Sequence, residues 1–84
     1  MPSPTPSSAP PAYVIAALDA FAGNLKAART RAGLTQSALA AAAGVRESYV
    51  SMLERGQRNP PLDTIALLAH ALGTTVSALV RSTT

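Results

Sequence analysis

The chain has 84 residues, enough for one small domain with a thin core. It has no cysteine, which excludes disulfides and thiolate metal sites, and only 4% aromatic residues beside abundant alanine, which favours closely packed small helices over a sandwich or barrel. Seven Lys and Arg stand against four Asp and Glu, and the resulting +3 suits a polyanionic partner.

The first eleven residues, "MPSPTPSSAPP", alternate proline with serine and threonine. Repeated proline removes backbone donors and fixes φ, so a disordered or polyproline-like arm is expected over 1–11. It carries no Lys or Arg to meet phosphates. No basic segment precedes an apolar stretch, so no signal peptide is expected. No apolar run approaches the ~20 residues that cross a bilayer, and the expected location is the cytoplasm.

The folded domain is expected over 12–81. Val14, Leu18, Phe21, Leu25, Ala28 and Ala32 recur on one helical stripe and predict a first helix over Ala12–Ala32, ended by Gly33. Thr35 is placed to cap a second, shorter helix that starts at Gln36, turns Leu39 and Ala42 inward and stops at Gly44. "GVRESYVSMLERG" gives a third helix over Arg46–Arg55, closed by Gly56. Two prolines end the loop that follows. Leu62, Ile65, Leu68, Ala69 and Leu72 form the inner stripe of a fourth helix over Leu62–Leu72. Thr75 caps a last short helix in which Val76, Leu79 and Val80 pack, and "RSTT" is a frayed end.

Two short helices meeting at a steep angle need a small residue at the contact, a glycine at the corner and apolar inner faces. Ala40, Gly44, Val45, Val50 and Leu53 supply them, which is the pattern of a helix-turn-helix. "GLTQSALAAAAGV…SYVSMLERGQRNPPLDTIALLAHALGTTVSAL" resembles the lambda-repressor-like helix-turn-helix domain of the XRE family, over about Phe21 to Val80. The resemblance implies an all-α, compact five-helix DNA-binding domain, preceded here by the disordered arm. It also implies sequence-specific binding to double-stranded DNA as a homodimer, by a transcriptional regulator acting as a repressor.

The resemblance assigns roles residue by residue. Gln36 matches a phosphate contact that braces the recognition helix. Arg46, Glu47, Ser48 and Met52 match its base-facing positions. Arg46 suits guanine O6 and N7, Glu47 suits cytosine N4, and Met52 suits a thymine methyl. Arg55, Gln57, Arg58 and Asn59 match the segment that follows the DNA backbone. Arg29 and Glu54 match an internal salt bridge that sets the angle of the third helix. Lys26 and Arg31 are weaker phosphate candidates. Relatives commonly place Ser or Thr where this chain has Arg46, which cannot cap in that way, so the start of the reading register is in question by one residue.

A single domain covers one half-site, and two copies on a two-fold axis cover half-sites ~34 Å apart. The expected dimer surface is Thr74, Thr75, Val76, Leu79 and Val80, with Tyr13, Val14 and Ile15 as a second apolar candidate. No metal or other cofactor is expected: His70 is the only histidine, and Asp, Glu and Cys partners are not spaced for a site. A triad would have to bring Asp19 or Asp63 to His70 beside a nucleophile in a cleft, so no enzyme is expected. The rival reading is a protein-interaction adaptor, or the antitoxin half of a toxin pair. The basic surplus of Lys26, Arg31, Arg46, Arg55 and Arg58 over Glu47 favours DNA.

Overall fold

Local chemistry at the helix ends sets the course of the chain in the computed structural model, which describes residues 9–82. The first helix, α1, spans Ala12–Arg31. The Thr35 hydroxyl accepts a hydrogen bond from the Ala38 amide at 3.0 Å and starts α2, Gln36–Ala43. Gly44, at φ 73°, closes it in the left-handed region, where a side chain would be strained. The paired bonds from Gly44 to Ala41 (3.4 Å) and from Val45 to Ala40 (3.0 Å) satisfy the last carbonyls of α2 and redirect the chain.

Next comes α3, Glu47–Glu54, followed across the proline loop by α4, Leu62–Leu72, and α5, Val76–Val80. The Thr75 hydroxyl caps α5 by accepting from the Ala78 amide at 3.0 Å. Thus α1 ends one residue earlier than the periodicity suggests, and α3 loses one residue at each end, leaving Arg46 and Arg55 as its flanking caps. The arm expected over 1–11 lies outside the described residues except for 9–11, as do the last two residues of "RSTT".

Helix α1 packs against α3 and α5, α2 against α3 and α4, and α4 against α5. Every helix contributes to one core: Leu25, Leu39, Val50, Leu53, Leu68 and Leu79 are all buried. Burying a leucine contributes roughly 1.5–3 kcal/mol. A helix as short as α5 has no stability alone, so Leu79 is its main anchor. Its C-terminal end is tied by the Asn24 side chain on α1, whose Nδ2 donates to the carbonyls of Leu79 at 3.0 Å and Arg81 at 2.8 Å.

Four expected core positions turn outward. Ala32 sits in the turn after α1 and is exposed. On α2 the buried residues are Leu39, Ala40 and Ala43, leaving Ala42 in solvent. Leu62 is 69% exposed, because buried Pro60 precedes it and the first turn of α4 projects past the core. Val80 is 48% exposed at the end of α5. Leu79, one of the residues expected at a dimer surface, is 1% exposed within the single chain.

Candidate nucleic-acid interface

The third helix is held from its C-terminal end. Arg29 Nε donates to Glu54 Oε2 at 2.6 Å, Arg29 Nη2 to Glu54 Oε1 at 3.0 Å, and Gln36 Nε2 to the same Oε1 at 3.1 Å. Arg29 Nη1 also donates to the Leu34 carbonyl at 2.8 Å. One carboxylate therefore joins the end of α1, the start of α2 and the end of α3. The Glu54 side chain is 3% exposed and that of Arg29 15%. A pair this buried survives only with good geometry and satisfied lone pairs, and the two-pronged guanidinium supplies both.

Burial pushes the Glu54 carboxyl up, but hydrogen bonds from Arg29 and Gln36, with the positive charges of Arg29 and Lys26, outweigh it and hold the group below its ordinary value. The bond to Glu54 raises Arg29 in turn, against an opposing effect of burial.

The opposite end of α3 is open. Arg46, its N-cap residue, has extended backbone and no side-chain capping bond. Arg46, Glu47 and Ser48 are exposed and make no side-chain hydrogen bond among the described residues, and Met52 is half-buried on the same helix. Val50 and Leu53 point into the core and half-buried Val45 and Tyr49 flank them, so the helix presents its remaining side outward.

Arg55, Gln57, Arg58 and Asn59 continue from the end of α3 as an exposed loop, and Lys26 and Arg31 are exposed on α1. Gln36 is half-buried, with its amide on Glu54. Among the described residues Arg29–Glu54 is the only ion pair, which leaves the guanidinium groups of Arg46, Arg55 and Arg58 able to bind oxyanions or base edges. His70 is exposed on α4, and no group of three or more His, Cys, Asp or Glu among the described residues could hold a metal.

Two neighbours of this region carry no signal in the sequence. Asp19, on α1, reaches across the turn after α3: a β-carbon built on Gly56 would lie 3.1 Å from Asp19 Oδ1, and Gly56 has φ 71°. Asn24 fixes α5, as described above. Both relationships join residues far apart in the chain, which periodicity along a single helix does not reveal.

Known proteins share this arrangement. The helix-turn-helix family profile matches residues 25–79. An uncharacterised HTH-type transcriptional regulator, y4dJ of Sinorhizobium fredii, is 43% identical over 60 residues, covering 71% of this chain and 78% of its own. The immunity repressor protein of Bacillus phage phi105 is 45% identical over 56 residues, which are 67% of this chain and 39% of the repressor. The crystal structure of the restriction-modification controller protein C.AhdI from Aeromonas hydrophila superposes with a TM-score of 0.72 at 44% identity, covering 74% of this chain and 94% of that one. From the helix order, the buried hub at Glu54 and these similarities, the chain belongs to the lambda-repressor-like, XRE-type helix-turn-helix family of transcriptional regulators.

Proposed function

We propose that this protein is a repressor that binds a palindromic operator in double-stranded DNA as a homodimer, with α3 in the major groove. The observation that carries the reading is the contrast between the two ends of α3. Its C-terminal end is fixed by three hydrogen bonds to Glu54, while Arg46, Glu47 and Ser48 stand exposed and uncommitted at the other. A recognition element needs both a rigid mount and free edge-reading groups.

Arg46 reads guanine through a bidentate pair, Glu47 accepts from a neighbouring cytosine, Ser48 bonds a base or a phosphate, and Met52 packs on a thymine methyl. Arg55, Gln57, Arg58 and Asn59 run along the backbone and fix the register, joined by Gln36 at the start of α2. The Gln36 amide that donates to Glu54 has a second N–H, which supports a phosphate contact beside the bracing by the same side chain. The names of the relatives, a phage immunity repressor among them, support the regulatory role and its sign.

The test is binding to duplex DNA from upstream of the protein's own gene, measured from low to physiological salt. Two arginines per copy on phosphates, Arg55 and Arg58, give four released counterions per dimer and a slope of log K against log salt of about −3.6. An upstream duplex bound no better than random DNA, or an affinity indifferent to salt, would sink this reading and leave a protein partner as the function of the exposed face.

A further inference from the structure

Lys26, Arg31 and Arg81 are the basic residues that the reading of α3 leaves without a role. Arg31 stands two residues after Arg29 on α1, which turns it about 200° round the helix from the side that meets Glu54. There it lines a groove of about 280 Å³ between α1 and α5, together with Arg81, Thr74, Asn24, Ala27 and Ala78. Arg81 lies beyond the last helix, where a chain usually frays. It is held instead: Asn24 Nδ2 donates to its carbonyl at 2.8 Å and to that of Leu79 at 3.0 Å. This clamp grips main chain only, and among the described residues neither the Arg31 nor the Arg81 guanidinium has an ion pair.

We propose that this groove binds a small phosphorylated organic molecule, its phosphate held between Arg31 and Arg81 with the Thr74 hydroxyl. No acidic residue lines the groove, nor the adjoining hollow of about 270 Å³ that shares Arg31 and Thr74. Asp19 lines a different neighbour, which lacks both arginines. Two positive charges on one groove repel until an anion joins them. Guanidinium forks match phosphate oxygens in pairs, and a threonine hydroxyl donates one further bond.

Size and lining choose the rest of the ligand. The groove and its neighbour stand at the lower end of the ~300–1,000 Å³ of small-molecule sites, which suits a compact ligand. The adjoining hollow brings no charge besides Arg31, so it has room for an uncharged organic body. The groove lies on the side of α1 away from Glu54, so its occupant is separate from the duplex proposed for α3. A ligand that bridges Arg31 and Arg81 also ties the end of the chain to α1 and reinforces the seating of α5.

The test titrates the full chain with glycerol 3-phosphate and with inorganic phosphate, at constant ionic strength, and follows backbone amide resonances. Saturable shifts are expected at Asn24, Arg31, Thr74 and Arg81, with glycerol 3-phosphate binding more tightly than inorganic phosphate. Arg31→Gln and Arg81→Gln should each weaken binding at least about fivefold. Both variants keep the Arg81 carbonyl that Asn24 holds, so the fold is not at stake. Lys26→Gln removes the same charge from α1 outside the groove and should change the affinity less than about twofold. Shifts that do not saturate, or equal weakening in Lys26→Gln, would overturn the site. Equal affinities for the two phosphates would overturn the organic body and leave the free anion as the ligand. Weaker binding of duplex DNA by both arginine variants, with a shallower salt slope, would make the two residues DNA contacts and overturn the proposal as well. The phosphate titration contains no DNA, so its outcome is independent of the reading of α3.

Discussion

Arg29→Ala leaves the Glu54 carboxylate, 3% exposed, with Gln36 as its one remaining hydrogen-bond partner and no paired cation. Breaking one side of a buried pair costs about 3–5 kcal/mol. Arg29 keeps 15% exposure, so water can enter the space that it leaves, and the lower figure of about 3 kcal/mol is the expected loss. An 84-residue chain is stable by roughly 4–12 kcal/mol, so this is a quarter or more of the total. The thermal midpoint should fall by about 12–24 °C.

The control replaces both partners, Arg29→Met with Glu54→Leu. It removes the stranded charge together with the attraction and should recover much of the stability. Urea unfolding of the parent, Arg29→Met, Glu54→Leu and the double variant gives the coupling directly. The reasoning is refuted if Arg29→Ala loses less than about 1 kcal/mol, or if the double variant loses as much as the two singles added together. The recovered double variant should still bind its operator more weakly than the parent, because neither Gln36 nor the end of α3 is then held.

Other consequences can be measured separately. Glu54 is held below its unfolded value of 4.5, so its stabilising contribution is complete above that pH and is lost as pH falls through the lower folded value. Urea midpoints between neutral pH and pH ~3 should therefore drop on the acid side, and more shallowly in Glu54→Gln. Arg46→Ala should lose about 1–3 kcal/mol of discrimination at one base pair per half-site, read by competition with single-base variants of the operator. Equal weakening on every duplex would make Arg46 a phosphate contact instead. Gly56→Ala meets both a positive φ and the Asp19 carboxylate oxygen, and should lower the unfolding free energy by about 1–2 kcal/mol, with part of the loss recovered in Asp19→Ala.

The helix ends were legible in the sequence because their causes are local. Thr35 and Thr75 cap their own helices, and Gly44 and Gly73 take positive φ at helix ends, whatever the rest of the chain does. Facing was less legible. In "QSALAAAA" nearly every position is apolar, so the pattern cannot decide between Ala42 and its neighbours, and only the docking of α2 on α3 and α4 selects Ala40 and Ala43. Leu62 fits the stripe of α4, but the stripe outruns the core at its first turn. The Arg29–Glu54 contact spans 25 residues and was suggested by family resemblance, not by periodicity. Asn24 had no such guide, because what it binds is backbone 55 and 57 residues away.

The uncommitted end of α3 has a consequence for how such a protein changes over generations. Among the described residues no side-chain hydrogen bond involves Arg46, Glu47 or Ser48, and all three are exposed, so replacing them removes no core contact and breaks no ion pair. Surface substitutions of this kind usually move stability by no more than about 0.5 kcal/mol. On the proposed reading these are the residues that set the preferred DNA sequence, which can then drift while folding stays intact, so that a duplicated gene acquires a new target through a few neutral steps. Glu54, about two turns further along the helix, has no such freedom.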